Sequence, residues 1–127
     1  MSDEERKRNQ DVVLRLLEEK LKQENINLKG IQRLVLIDKE GDIYWENFED
    51  SFFILTKNNT TILLDASFHA ENLDVYFLLM HGALYKHLFK KDYGGLILVC
   101  YEIKQETVNQ AENQGIKVIT ERILKKN

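Results

Sequence analysis

The segment Asp65-Ala66-Ser67-Phe68-His69 sets an acid, a hydroxyl and an imidazole close together. Side chains of these types can act as orienting acid, nucleophile and base. Here all three come from one local stretch, and no glycines frame Ser67 as in a nucleophile elbow, so a hydrolytic triad is not expected. His81 and His87 lie six residues apart, which puts them on opposite sides of a helix and rules out a paired metal site. Tyr85, one turn from His81, is its expected hydrogen-bond partner. The single cysteine, Cys100, excludes an intramolecular disulfide and any zinc cluster of cysteines and histidines. It sits in the apolar run Leu96-Ile97-Leu98-Val99-Cys100, where a buried, inert thiol is expected.

These residues need elements to hold them. Ser2-x-x-Glu5 predicts a capping box opening a helix from Asp3 to about Asn25, with Val13, Leu16, Leu17 and Leu21 on one apolar stripe. Strands are expected over Ile31 to Ile37, Ile43 to Phe48 continuing through Ser51 to Thr56, and Thr61 to Ser67. Turns are expected at Asp38–Asp42 and Lys57–Thr60. The near-continuous apolar run from Thr61 predicts a strand buried on both faces, with Asp65 near its end, where a carboxylate can accept backbone amides of a following turn. From Glu71 to Lys91 runs a helix apolar nearly all round, which must be sandwiched between layers or form a subunit interface. A strand over Leu96 to Tyr101, a short helix over Gln105 to Gln114 and a strand over Ile116 to Thr120 complete the chain. The charged stretch from Glu121 to Asn127 is expected to add a last helical turn. The order α-β-β-β-α-β-α-β predicts one domain over residues 1–127, an α/β sandwich with a mixed central sheet.

The chain has 127 residues, 43% hydrophobic and 31% charged, with a formal net charge of −3. These values belong to a folded globular domain and weigh against coating nucleic acid through charge alone. Asp38, Glu40, Asp42, Glu46, Glu49 and Asp50 against Lys39 make the first hairpin negative. Basic residues gather at the ends, as Arg6, Lys7 and Arg8 and as Arg122, Lys125 and Lys126, where solvated termini are the plain reading. With no apolar segment at the N-terminus and no run long enough to span a bilayer, the expectation is a soluble, cytoplasmic protein without a membrane anchor.

Leu17-Glu18-Glu19-Lys20-Leu21, Ile62 to Ser67, Leu73 to Tyr85, Leu96 to Val99 and Ala111 to Ile119 follow a familiar layout. In this the chain resembles the PD-(D/E)xK, or restriction-endonuclease-like, superfamily of nucleases, and small archaeal members in particular. The resemblance implies a restriction-endonuclease-like sandwich in which two acids hold Mg2+ or Mn2+ and a lysine helps activate water. The later acid of that pattern falls on Asp65 and its lysine on Ser67. The earlier acid falls on Phe53, the nearest carboxylates being Asp50 and Glu49. The implied metal ligands are thus Asp65 and Asp50, and the implied catalytic set is Asp65, Asp50, Glu49, Ser67 and His69, with His69 standing in as base or ligand. Lys86, Lys90 and Lys91 cannot replace the lysine, since Lys86 lies about 20 Å along the helix from its start.

With the lysine missing, the expectation is a degenerate nuclease-fold domain that needs no cofactor. It would act through protein or nucleic-acid contacts, as a homodimer joined by the Glu71–Lys91 helix. The alternatives are an active Mg2+- or Mn2+-dependent nuclease using Asp65 with Asp50 or Glu49, and a roadblock-like scaffold subunit. The last resembles the Gly30-Ile31 to Asp38-x-x-Gly41 segment, but in that fold the second strand leads straight into a helix.

Overall fold

Ser2 accepts the amide of Glu5 and opens helix α1 (Asp3–Leu16), with three acids in its first turn. The computed structural model describes residues 2–125, so Lys126 and Asn127 lie outside the described residues. At Leu17 the expected single helix divides, and α2 (Glu18–Gln23) follows. Val13, Leu17 and Leu21 nevertheless stay on one buried stripe. Asn25 ends the helical segment at φ 61°, a left-handed conformation that asparagine tolerates.

Five strands follow: β1 (Gln32–Asp38), β2 (Phe48–Lys57), β3 (Thr60–Ala70), β4 (Gly95–Lys104) and β5 (Ile116–Leu124). Helix α3 (Asn72–Phe89) joins β3 to β4, and α4 (Gln105–Asn113) joins β4 to β5. Asn58 and Asn59, at φ 53° and 64°, make the tight turn between β2 and β3. The sheet runs in chain order, antiparallel from β1 to β3 and parallel from β3 to β5. The fold is α/β with a mixed sheet. Among the described residues no helix is long and apolar enough to cross a membrane.

The helices form two layers. Val13, Leu17 and Leu21 pack with Phe53, Leu64 and Val99 on one face of the sheet. Leu78 and Leu84 of α3 pack with Phe52, Leu63 and Leu98 on the other. β3 is buried on both faces because Leu63 and Leu64 point to opposite layers. Gly82 lets the Tyr93 ring lie against α3, since a Cβ there would come within 2.8 Å of it.

Register divides the sheet. β2 pairs with β1 from Phe48 to Ile54, but with β3 only from Phe53 to Lys57. Beyond Phe53 and Leu64 the two strands part, and β3 continues along β4 to Ala70. The strand expected to end near Ser67 is therefore longer, and Asp65 lies within it at the throat of this fork.

Three other expectations are corrected. Residues 43–47 form a loop rather than a strand, because buried Asp38 captures the amides of Asp42, Ile43 and Tyr44 at 3.1, 3.0 and 2.7 Å. That side chain supplies the partners a strand ladder would have given. Glu121 to Leu124 continue β5 beside β4 instead of starting a helical turn. Finally, α3 is not sandwiched within the chain, since Leu73, Tyr76 and Phe77 are exposed opposite its packed side.

Asp38→Ala should therefore release the 39–47 loop, lowering the melting temperature and shifting the fluorescence of Trp45. Asp38→Asn, which keeps an acceptor oxygen, should retain part of the difference.

Candidate functional site

The fork brings together side chains that are distant in sequence. Strand alternation puts Asp50 and Phe52 on the α3 face of β2 and turns Phe53 to the α1 face. Asp65, two residues after Leu63, shares that α3 face. An acid at position 53 would thus point away from Asp65, and the position is taken by a ring with the Arg33 guanidinium 4.4 Å above it. Arg33 also donates to Ser51 Oγ at 3.1 Å, closing the α1 side of the fork.

Between the two acids stands His81, from the packed side of α3. Its Nδ1 lies 2.8 Å from Asp50 Oδ2 and its Nε2 3.0 Å from Asp65 Oδ2. Asp50 and His81 are only 4% and 5% exposed. Carboxylates on both sides accept but cannot donate, so both ring nitrogens carry protons and the ring is an imidazolium. Burial alone would lower its pKa, but hydrogen bonds to Asp50 and Asp65, reinforced by their charges, push it up to about 9. The ring stacks on Phe52 at a centroid distance of 4.8 Å.

Further groups complete the cluster. The Tyr44 hydroxyl donates to Asp50 Oδ2 at 3.2 Å and lies 3.2 Å from His81 Nδ1. Burial, and then the adjacent Asp50, raise the Tyr44 pKa, so the phenol stays protonated. Gln10 Nε2, from α1, donates to Asp65 Oδ1 at 3.2 Å, as does the Ala66 amide. His87 Nε2 and Asp42 Oδ2, 2.8 Å apart, pin the Tyr44 loop to α3 from outside.

Of the residues singled out from sequence, Asp50 and Asp65 meet at this cluster. Glu49 does not join them, because alternation turns it away from His81 to the α1 side of the fork, where it is exposed and borders the cleft beside Arg6 and Gln10. Ser67 Oγ donates to the His69 carbonyl at 3.2 Å. His69 Nδ1 lies 2.8 Å from Glu102 Oε2 of β4, and Glu102 is also held by Arg122. The expected partnership of His81 with Tyr85 is replaced by one with Tyr44, while Tyr85 packs on Phe89 at 4.7 Å.

Asp50 and Asp65 do not fit a shared Mg2+ or Mn2+. The space between them holds a cationic ring, and their facing oxygens are already engaged. Among the described residues no group of three or more His, Cys, Asp or Glu side chains is arranged to hold a metal ion.

A cleft of about 440 Å3 opens beside the cluster, bordered by Arg6 and Gln10 of α1, Glu49 of β2, Phe68 of β3, and Asp74 and Phe77 of α3. Burial raises the Asp74 carboxyl above its usual range; the Glu71 amide it accepts works against this, and the charges of Asp65 and Glu71 add to it. No protein-family model, curated protein or solved structure matches the chain.

Because His81 has a higher pKa folded than its ordinary 6.5, its stabilisation is complete below about pH 6.5 and is lost as pH rises through about 9. Denaturant unfolding between these limits should show a loss on the order of 3 kcal/mol. His81→Leu should remove this dependence and cost about 3–5 kcal/mol at pH 7, because it leaves the buried Asp50 and half-buried Asp65 carboxylates without their cation.

Proposed function

We propose that this chain is a non-cleaving PD-(D/E)xK-fold domain that acts by association, pairing with a second copy through the outer face of α3. The observation that carries the reading is the imidazolium between Asp50 and Asp65. On the resemblance, Asp50 and Asp65 would be the metal's ligands, and the imidazolium ties these two acids together by occupying their facing oxygens. A ring that remains charged at neutral pH is also a poor general base. Ser67, in the lysine position, spends its hydroxyl on a backbone carbonyl.

Three consecutive strands before α3 favour this layout over a roadblock-like subunit, in which two strands lead into a helix. Association is supported by the exposed apolar groups on α3, with Leu73 60% and Tyr76 53% exposed, and by Trp45, 62% exposed on the loop beside it. Clustered apolar surface of this kind marks an interaction site rather than ordinary solvated surface. The net charge of −3 gives no general attraction to a phosphate backbone, so a protein surface is the preferred partner.

Incubation with single- and double-stranded DNA and RNA, with and without Mn2+, should yield no cleavage. Cleavage by the wild type that disappears in Asp65→Ala would overturn the non-cleaving reading. Light scattering at micromolar concentration should give twice the chain mass, and Leu73→Glu with Tyr76→Glu should halve it. A wild-type monomer would remove the association.

A further inference from the structure

The cleft beside the Asp50–His81–Asp65 cluster has a charge pattern that the cluster itself does not explain. Four carboxylates line it, those of Glu49, Asp50, Asp65 and Asp74, against the cations Arg6 and His81 and the titratable His69. His81 is already committed to Asp50 and Asp65, and Arg6 lies 3.8 Å from Asp3, an acid outside the cleft. Glu49 and Asp74 also line the cleft; neither is in an ion pair among the described residues, and the titratable His69 is the group that offsets the Asp74 charge. Gln10 lines the same cleft and is 6% exposed. Its Nε2 is spent on Asp65, while its buried Oε1 has no hydrogen-bond partner. Among the described residues no donor reaches that oxygen.

The apolar part of the lining is aromatic. Phe48, Phe68 and Phe77 border the cleft, the last two with rings exposed. Aromatic faces attract cations through their quadrupole, and carboxylates at the same site add Coulombic attraction. A phosphate or carboxylate ligand would meet four acids, whereas an inorganic cation has no apolar stem to lay against the rings and no N–H donor for Gln10 Oε1. The ligand that uses both kinds of wall is an organic cation bearing N–H donors. At about 440 Å3 the cleft is within the range of small-ligand sites and has room for a side chain of arginine size.

We propose that this cleft binds a guanidinium or primary ammonium group on a short aliphatic stem. The charge is met by Glu49 and Asp74, the stem and cationic face by Phe68 and Phe77, and an N–H donor by Gln10 Oε1. Such a group can belong to a free amine or to an arginine or lysine side chain of a protein partner. The chemistry is common to both, and the assignment is independent of whether the domain cleaves or dimerises.

Calorimetric titration of the full chain with n-butylguanidinium and with n-butylurea, its neutral isostere, tests the assignment. The cation should bind at least about ten-fold more tightly than the urea, since a lost charge contact in a partly buried site is worth about that factor. Glu49→Gln and Asp74→Asn should each weaken the cation about three- to ten-fold and leave the urea unchanged. Asparagine keeps the capping acceptor of Asp74, and Glu49 is exposed, so both variants should fold, as thermal melting would verify. Equal binding of cation and urea, absence of cation binding at 10 mM, or undiminished binding in the double variant would each overturn the proposal. An acetylated Gly-Arg-Gly amide binding at least about ten-fold more tightly than n-butylguanidinium supports the proposal with a protein side chain as the source. Comparable affinities support it with a free amine as the source.

Discussion

One buried ion triplet holds the two halves of this sheet together. β2 pairs with β3 only from Phe53 onward, so over residues 48–52 no backbone ladder joins the β1–β2 pair to the β3–β4–β5 set. His81 replaces it with side-chain bonds, one nitrogen to Asp50 on β2 and the other to Asp65 on β3. Two carboxylates brought this close would repel each other without a cation between them. The ring therefore offsets the repulsion of the pair and fixes its spacing, and α3, which delivers it, is packed on the sheet through Leu78 and Leu84.

The surroundings serve this bridge from both layers. α1 reaches across with Gln10, and the 39–47 loop with Tyr44, so each carboxylate has a second donor. Asp38 matters at one remove: burial alone would raise its pKa, but the amides of Tyr44, Ile43 and Asp42 outweigh that and hold it below the usual range. Its charge organises the loop that carries Tyr44. Bonds to charged groups are stronger than neutral ones, which suits a junction where the regular ladder is missing.

Much of the architecture was legible in local signals. The apolar runs of β3 and β4, the Asn58-Asn59 turn and the glycine after α4 each act within a few residues, and the α/β order followed from them. Residues 43–47 misled because their alternation imitates a strand, while the side chain that overrides it, Asp38, looked like one more acid of a turn. The two acids of the site were legible as chemistry, and Glu49 could not be separated from Asp50 until strand alternation had a fixed register. His81 was not found from spacing because its partners lie 31 and 16 residues away. A signal did exist: it falls between Leu78 and Tyr85 on the packed stripe of α3, and a basic group there needs buried acids opposite. Gln10 carried no comparable signal, being one polar residue among many on α1.

The sheet's mixed direction also bears on how the chain folds. β1, β2 and β3 can be zipped as neighbours, the second hairpin closing over only Asn58 and Asn59, so the loop entropy to be overcome is small. β3 and β4 cannot meet until the chain has passed through all of α3, and β5 must wait for α4. Contacts of high sequence separation slow folding. The fork lies at the boundary between these two regimes, where an early-closing meander meets a late-closing parallel set. The helix that covers Asp50 and Asp65 also carries His81, so the element that takes the two charges out of water brings the cation that makes their burial tolerable.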